Sequence, residues 1–498
     1  MEHYIGIDIG TYETKGVLVN SQGEILHQHH VPHTLTIPRS GWAEHEPITV
    51  WWNGSKEILV EIVRYCNDNK LDPKIIKCIG LSSIAPSIVP IDQQGKPLRN
   101  GILYGIDTRT TEQIKSLNEK LGEAEILKHA KQALTTQAGG PKILWIKENE
   151  PEIYAQTDTF VSGAGFVIHQ LTGKKVIDHY TAASFAPLYD FKTSNWSEEF
   201  AAHITTRNKL PELYWTNEIV GTLLPSIAEE LGLSPDTKIL AGSTDALSEA
   251  ISSGSVEIGD LMLMYGSSTF FILNINEMTS SDKMWPNLHA VPGIYSLTGG
   301  TSTAGSLMRW FIDQFDDATL TTEERYQSNM IAASQSEVGA NGVICLPYFS
   351  GERTPLNHPD AKGVFFGLTL KHSKADLYRA VIEGIAYTIR QNIEYMNDLG
   401  FDIKRIISIG GGTKNKLLLQ IVSDVCGIKQ VITKNTVGAS YGNAFLCHLA
   451  LNKEVNLSNI ADWLEIKEVV EPNSYNYEKY TEYYEKFKLI YQQTKNLM

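Results

Sequence analysis

Two short segments of one design, half a chain apart, constrain this sequence more than any other feature. The first reads Ile5-Gly6-Ile7-Asp8-Ile9-Gly10-Thr11-Tyr12-Glu13-Thr14-Lys15-Gly16 and runs on into Val17-Leu18-Val19; the second reads Gly259-Asp260-Leu261-Met262-Leu263-Met264-Tyr265-Gly266-Ser267-Ser268-Thr269-Phe270-Phe271-Ile272-Leu273. Each predicts a strand, a turn of glycine and hydroxyl residues, and a second strand. Such a hairpin gathers backbone N–H and hydroxyl groups at one spot, where a nucleotide's phosphates can be held. A carboxylate at the strand end, here Asp8, can orient Mg²⁺. An ordinary glycine turn accounts for either stretch taken singly, because short glycine motifs are weak signals. Their recurrence in corresponding places of two halves points to a duplicated domain with a phosphate gripped between the copies.

At 498 residues the chain exceeds one core and fits two lobes of about 250 residues each. The net charge of -14 argues against a nucleic-acid or anionic-membrane partner, since no basic cluster is present to meet a phosphate backbone. The five cysteines, Cys66, Cys78, Cys345, Cys426 and Cys447, are odd in number and widely spaced. No C-x-x-C pair suggests zinc or redox chemistry, and buried free thiols in a reducing compartment are expected. The N-terminal residues enter a strand directly and no apolar run reaches the length of a membrane span, so a cytoplasmic protein is expected.

Along the chain, strands alternate with helices, which is the α/β pattern. Ile75–Ser82 reads as a buried strand, 47–66 as a helix opened by Pro47, and 141–150 as a helix with proline in its first turn. The turn cluster Leu233-Ser234-Pro235-Asp236 precedes a strand, Thr237–Gly242, that leads to Asp245. The division is expected there, into 1–244 and 245–498. The Tyr-, Glu- and Lys-rich stretch from about 475 reads as an amphipathic closing helix.

In Ala241-Gly242-Ser243-Thr244-Asp245-Ala246-Leu247 a strand ends in small residues and delivers one carboxylate near the proposed hinge. A hydroxyl that attacks a γ-phosphoryl group needs an acceptor for its proton, and Asp245 can serve. By itself, capping of the helix that follows is the simpler account of this residue. Ile406–Ile409 ends in Gly410-Gly411-Gly412-Thr413-Lys414-Asn415 before a helix through Val422. Glycines there leave room for a base or ribose, and equally permit close helix-to-strand packing. No G-x-x-x-x-G-K-[ST] sequence occurs, which excludes a P-loop kinase. Residues 346–369, with Glu352-Arg353-Thr354-Pro355, read as a long polar loop between strands, of a kind that often borders active sites.

Taken together, and in this order over roughly residues 4–450, these segments resemble the FGGY family of carbohydrate kinases. The resemblance implies two actin-like (ribonuclease H-like) lobes that close on ATP and a sugar. It implies that Asp8, Gly10, Thr11, Thr14 and Lys15 form the first phosphate motif and that Gly266, Ser267, Ser268 and Thr269 form the second. Gly410, Gly411, Gly412 and Asn415 then form the adenosine motif, and Asp245 falls on the catalytic base. Mg²⁺ is expected on Asp8 and Asp245 through water. The Ser40–Pro47 loop with Trp42, Glu44 and His45, the pair Asp107 and Arg109, and Gly299-Gly300-Thr301-Ser302 match the framework around sugar and phosphates. Trp42, Glu44, His45, Asp107 and Arg109 are expected to line the sugar pocket.

The chain is closest to the xylulokinase-like subgroup, with two departures. Ile84-Ala85-Pro86 stands where xylulokinases carry Gln-Met-His, and Gly105 replaces the tryptophan two positions before the Asp-x-Arg, with Tyr104 one place earlier. The expected reaction is ATP-dependent phosphorylation of a primary hydroxyl on a small sugar, a ketopentose such as D-xylulose first, with gluconate as the alternative. An aldonate would want a cation, and Arg109 or His45 is a candidate. A non-kinase ATPase of the actin type shares the hairpins, and a sugar-sensing repressor needs a helix-turn-helix extension. No nucleic acid or membrane partner is expected, and a homodimer is open.

Overall fold

The computed structural model describes residues 2–434 and 437–498. It contains two seven-stranded sheets of matching spatial order. In the first, β1 (His3–Ile9), β2 (Glu13–Asn20) and β3 (Ile25–Pro32) form an antiparallel meander, and β4 (Ile76–Ser83) lies parallel to β1 on its other side. Beyond it come β5 (Ile219–Thr222), antiparallel at the edge, and β6 (Lys238–Leu240), parallel to β4; the short β7 (Ser243–Thr244) also pairs with β4.

The second sheet repeats the pattern. The strands β8 (Asp260–Tyr265) and β9 (Thr269–Ile275) form the hairpin, β10 (Trp285–Leu288) and β11 (Tyr295–Gly300) extend it antiparallel, and β12 (Arg405–Ile409) and β13 (Gln430–Thr433) run parallel to β8. An antiparallel edge strand, β14 (Ile466–Val470), completes it. The two sheets share a spatial order of antiparallel strands, two parallel strands and an antiparallel edge, while the chain reaches the outer strands in a different sequence in each half.

The central strands are buried end to end, β1 on all seven residues, as expected of strands covered on both faces. One face of the first sheet is covered by α1 (Asn53–Asp68), which follows a wide turn at Pro47–Trp52. The helix α2 (Gly139–Asn149) joins a separate apolar cluster in this half. Two helices from beyond residue 244, α3 (Asp245–Ser252) and α6 (Ala439–Leu451), share one apolar cluster with Tyr4, Val17, Val19 and Cys78 of this sheet. A Cβ at Gly6 would lie 1.8 Å from the Ser440 carbonyl oxygen, so glycine is what lets α6 sit on β1. The second sheet packs against the 25-residue α4 (Lys374–Asp398), α5 (Lys416–Cys426) and the closing α7 (Ser474–Thr494). Among the described residues no helix is long and apolar enough to cross a membrane.

Candidate active site

Residues from both sheets meet around a cavity of about 400 Å³ whose wall includes Asp8, Tyr104, Gln137, Asp245, Phe270 and Arg353. Asp8 is the next-to-last residue of β1, held by the Ser82 hydroxyl, which donates to its Oδ1 at 2.7 Å. Asn443 on α6 supports that serine, its Nδ2 donating to Ser82 Oγ at 2.7 Å and to the Ile7 carbonyl at 2.8 Å, while Ser248 on α3 donates to Asn443 Oδ1 at 2.7 Å.

Asp245 opens α3, yet it is not the cap. Thr244 caps that helix, its hydroxyl oxygen accepting the Leu247 N–H at 3.1 Å. Asp245 uses Oδ1 to accept its neighbour's N–H at 2.8 Å, and the residue lines the cavity. The helix is therefore satisfied without this carboxylate. Glu249, one turn further along α3, faces the same space. All three acids are pushed above the ordinary carboxylate range: desolvation is the first cause, and the charge of Asp8 adds to it for both Asp245 and Glu249. None of the three carries an ion pair among the described residues. Crowded oxygen donors without a cation suit Mg²⁺, which keeps several waters and uses only one or two carboxylates together with phosphate oxygens. A protein-only metal cage is not needed for this, and no such cluster occurs among the described residues.

The two turns are built differently. In the first, the Thr11 carbonyl is held by His45 Nε2 at 3.0 Å and its hydroxyl lies 3.2 Å from the Tyr104 hydroxyl. Lys15 pairs with Glu13 at 2.8 Å, and the Gly10 N–H donates a turn hydrogen bond to the Glu13 carbonyl at 2.9 Å. Thr14 departs from the expected role, because strand alternation buries its hydroxyl against Gly54 of α1, away from the cleft. In the second turn Gly266 and Ser267 are exposed, and their carbonyls accept the N–H groups of Ala304, Gly305 and Ser306 at the start of the helix Gly305–Phe315. Thr269 spends its hydroxyl on Thr301 at 2.7 Å.

The three glycines after β12 have separate reasons. Gly410 has φ of 87° and its Cβ would meet the Tyr265 carbonyl at 2.6 Å; a Cβ at Gly412 would lie 2.5 Å from Tyr265 Cβ. Only Gly411 of the three faces open space. Asn415 caps α5, accepting the Leu418 N–H at 3.0 Å.

The structure does not bring Trp42, Glu44, His45, Asp107 or Arg109 to the cavity wall. Most of their polar atoms are paired behind it, with Arg109 Nη1 buried and without a hydrogen-bond partner among the described residues. Arg109 binds Asp107 at 2.7 Å and Glu44 at 2.8 Å, and its guanidinium stacks 3.9 Å above Trp42; Arg99 adds pairs to Glu44 and Glu150. Asp107 Oδ2 also accepts the Ala43 N–H at 2.7 Å. His45 accepts the Trp51 indole N–H on Nδ1 while Nε2–H donates to Thr11, and burial pulls its pKa down to about 4, so it is neutral. This cluster braces the wall instead. The buried Lys142 donates to the Thr136 carbonyl at 2.7 Å and the Asp107 carbonyl at 3.4 Å, and Gln137 accepts the Gly105 N–H at 3.0 Å. Gly105 is what admits Gln137, since a Cβ there would lie 2.6 Å from the amide carbon. Tyr104, Gln137, Ser82, Asn443 and Arg353 thus belong to the site without standing in the recognised motifs; the departures at Gly105 and at Ile84-Ala85-Pro86, the latter three lining the cavity, are the signals that this wall is rebuilt.

Comparison with known proteins agrees with this arrangement. The model of the N-terminal domain of the FGGY family of carbohydrate kinases matches residues 3–252, and that of its C-terminal domain matches 261–451. A xylulose kinase of Staphylococcus epidermidis is 31% identical over 100% of this chain and 98% of its own length. A gluconokinase of Bacillus subtilis is 27% identical over 93% of this chain and 90% of its own. The crystal structure of xylulose kinase from Rhodospirillum rubrum superposes with a TM-score of 0.93 at 25% identity, covering 100% of this chain and 99% of that one. With two actin-like lobes, both family domains and a carboxylate-lined cleft between them, the chain belongs to the FGGY family of carbohydrate kinases and is an ATP-dependent sugar kinase.

Proposed function

We propose that this kinase phosphorylates a primary hydroxyl of a neutral ketopentose such as D-xylulose. The observation that carries the reading is Asp245, a carboxylate that lines a cavity whose wall comes from both halves and that is not needed to cap its helix. As the sugar oxygen bonds to the γ-phosphorus and the bond to ADP breaks, the hydroxyl proton passes to Asp245. Asp8 and Asp245 would hold Mg²⁺ through water, and the ion offsets phosphate charge when bound. Thr11 and Lys15 of the first turn and Gly266 to Thr269 of the second flank the phosphates, with Gly10 keeping the first turn tight. Adenosine lies over Gly410 to Gly412, with Asn415 fixing the helix that follows.

Charge on the wall supports a neutral acceptor over an aldonate. Arg353 is the one cation among the described lining residues, and it sits on the second turn, against Ser268 and Thr269, on the side given to the phosphates. Arg109 is bound by two carboxylates and His45 is neutral, so neither offers a charge to a sugar acid. Polar contacts of Gln137 and Tyr104 suit hydroxyls, and sites built to hydrogen-bond a hydroxyl discriminate strongly. The xylulose kinases among the relatives are named for a pentulose, the Bacillus subtilis gluconokinase for an aldonate. Sugar-stimulated ADP release across ketoses, polyols and aldonates tests it. D-Xylulose or another ketopentose is expected to give a kcat/KM at least about tenfold above gluconate. Preference for gluconate would overturn the neutral-sugar reading.

A further inference from the structure

The loop between the strands Ile344–Leu346 and Val364–Phe366 carries Arg353, which stands in neither phosphate motif. Its backbone is fixed from the side: Glu352 Oε1 accepts the N–H groups of Ser302 at 2.7 Å and of Arg353 at 2.8 Å. The guanidinium reaches across to the second hairpin. Its Nη2 donates to Ser268 Oγ and the Thr269 carbonyl, both at 3.3 Å, and Nε donates to the Thr301 carbonyl at 3.2 Å. Gly300 makes this path passable, because a Cβ there would lie 2.9 Å from Nη2.

Three features mark this arginine as more than a strut. All its hydrogen-bond acceptors are neutral oxygens, and Glu352, whose charge favours the guanidinium, makes no salt bridge with it. Its Nη1 has no partner there, while the residue lines the cavity that also contains Asp8 and Asp245. Burial works against its charge and the neighbouring Glu352 carboxylate offsets this in part, so the site holds a cation at a cost that a bound anion would relieve further. Planar guanidinium donors match phosphoryl oxygens.

We infer that Arg353 is a catalytic residue whose guanidinium contacts the transferred phosphoryl group and stabilises its charge between ADP and the sugar. The inference rests on the cleft being the phosphoryl-transfer site. Arg353 only donates hydrogen bonds; the β–γ bridging bond breaks towards ADP, the new bond forms to the sugar oxygen, and the proton goes to Asp245.

The test uses the full chain with Arg353→Lys, Arg353→Gln and Arg353→Ala. We expect kcat of Arg353→Gln to fall about 10³-fold, with Arg353→Lys between it and the parent. ADP affinity stays within about threefold, affinity for a non-hydrolysable ATP analogue falls at least about tenfold, and added guanidinium restores part of the Arg353→Ala rate. A kcat within about threefold of the parent, or equal losses for ADP and the analogue without guanidinium rescue, overturns the inference and leaves a support for the second turn. Should Arg353→Gln fail to fold, Arg353→Lys decides by the same ADP-against-analogue ratio. The parent's sugar-stimulated ADP release, run alongside, separates the two levels: its absence removes the cleft reading and this inference with it, whereas a normal parent beside a fully active variant removes only the role of Arg353.

Discussion

The two hairpins share a backbone and differ in charge. The first ends in an acid, Asp8, and carries its own cation, Lys15, paired with Glu13 two residues away. The second has no ionisable side chain in its turn; its cation, Arg353, comes from 84 residues beyond Thr269. Support differs as well. The first turn leans on neutral side chains, His45 and Tyr104, while the second leans on the N–H groups at the start of a helix, which favour negative charge. Duplication therefore supplied the same shape twice, and divergence left the acids on one side of the cleft and a single lining cation, Arg353, on the other among the described residues. A phosphoryl transfer needs both, a proton acceptor beside the attacking hydroxyl and positive charge on the departing phosphates.

The sharpest way to break this division of labour is to neutralise the acidic side. Asp245→Asn is expected to lower kcat about 10³-fold while ADP still binds, as a titration of ADP against the variant would record. Stability should move the other way. Burial and Asp8 push the Asp245 carboxyl up to about 8 from an ordinary value of 3.8. Between those values the folded protein keeps a proton that the unfolded chain has released, so stability is greatest at low pH and is lost as pH rises through about 8. The ligand-free parent should melt lower at pH 8 than at pH 6, and Asp245→Asn should melt above the parent at pH 8. A variant no more stable than the parent there would mean that Asp245 is not repelled by its neighbours. For the parent, kcat/KM should rise over the same interval as the base loses its proton.

Much of the first turn was legible because its parts are contiguous: an apolar run, Asp8, a glycine and hydroxyls announce a strand and a turn in a dozen letters. The capping alternative for Asp245 was equally local and was settled only by coordinates, which give the cap to Thr244. What sequence could not place are contacts made over long separations. Arg353 on Ser268, Asn443 on Ser82 and Lys142 on the Asp107 carbonyl each join distant elements whose adjacency depends on the packed lobes. Asp107 and Arg109 mislead for the same reason. An Asp-x-Arg pair beside a cleft reads as a substrate contact, yet the two side chains face each other and two tryptophans.

That reassignment makes a second prediction, on the bracing behind the first turn. Asp107 is fully buried with Arg109 against it, and removing one member of such a pair costs about 3 kcal/mol or more. Asp107→Asn should lower the urea midpoint clearly, while the folded enzyme at saturating sugar keeps most of its kcat. An unchanged midpoint with a sugar KM raised about tenfold would return Asp107 to direct contact with the substrate.

The smallest effect separates packing from binding on the second hairpin's side. Tyr265 ends β8 and is anchored by its hydroxyl, which donates to Gln430 Oε1 at 2.6 Å, so it cannot yield to a new methyl group. Gly412→Ala, whose Cβ would sit 2.5 Å from Tyr265 Cβ, should cost about 1–3 kcal/mol and leave the ATP KM of the folded enzyme alone. Gly411→Ala meets nothing within 4 Å in the protein, so its stability cost should be near zero. If adenosine lies over this loop, the same methyl group raises the ATP KM and leaves the sugar KM unchanged. Paired measurements of urea midpoint and ATP KM on the two variants decide the matter, because a nucleotide bound elsewhere would leave Gly411→Ala indistinguishable from the parent in both.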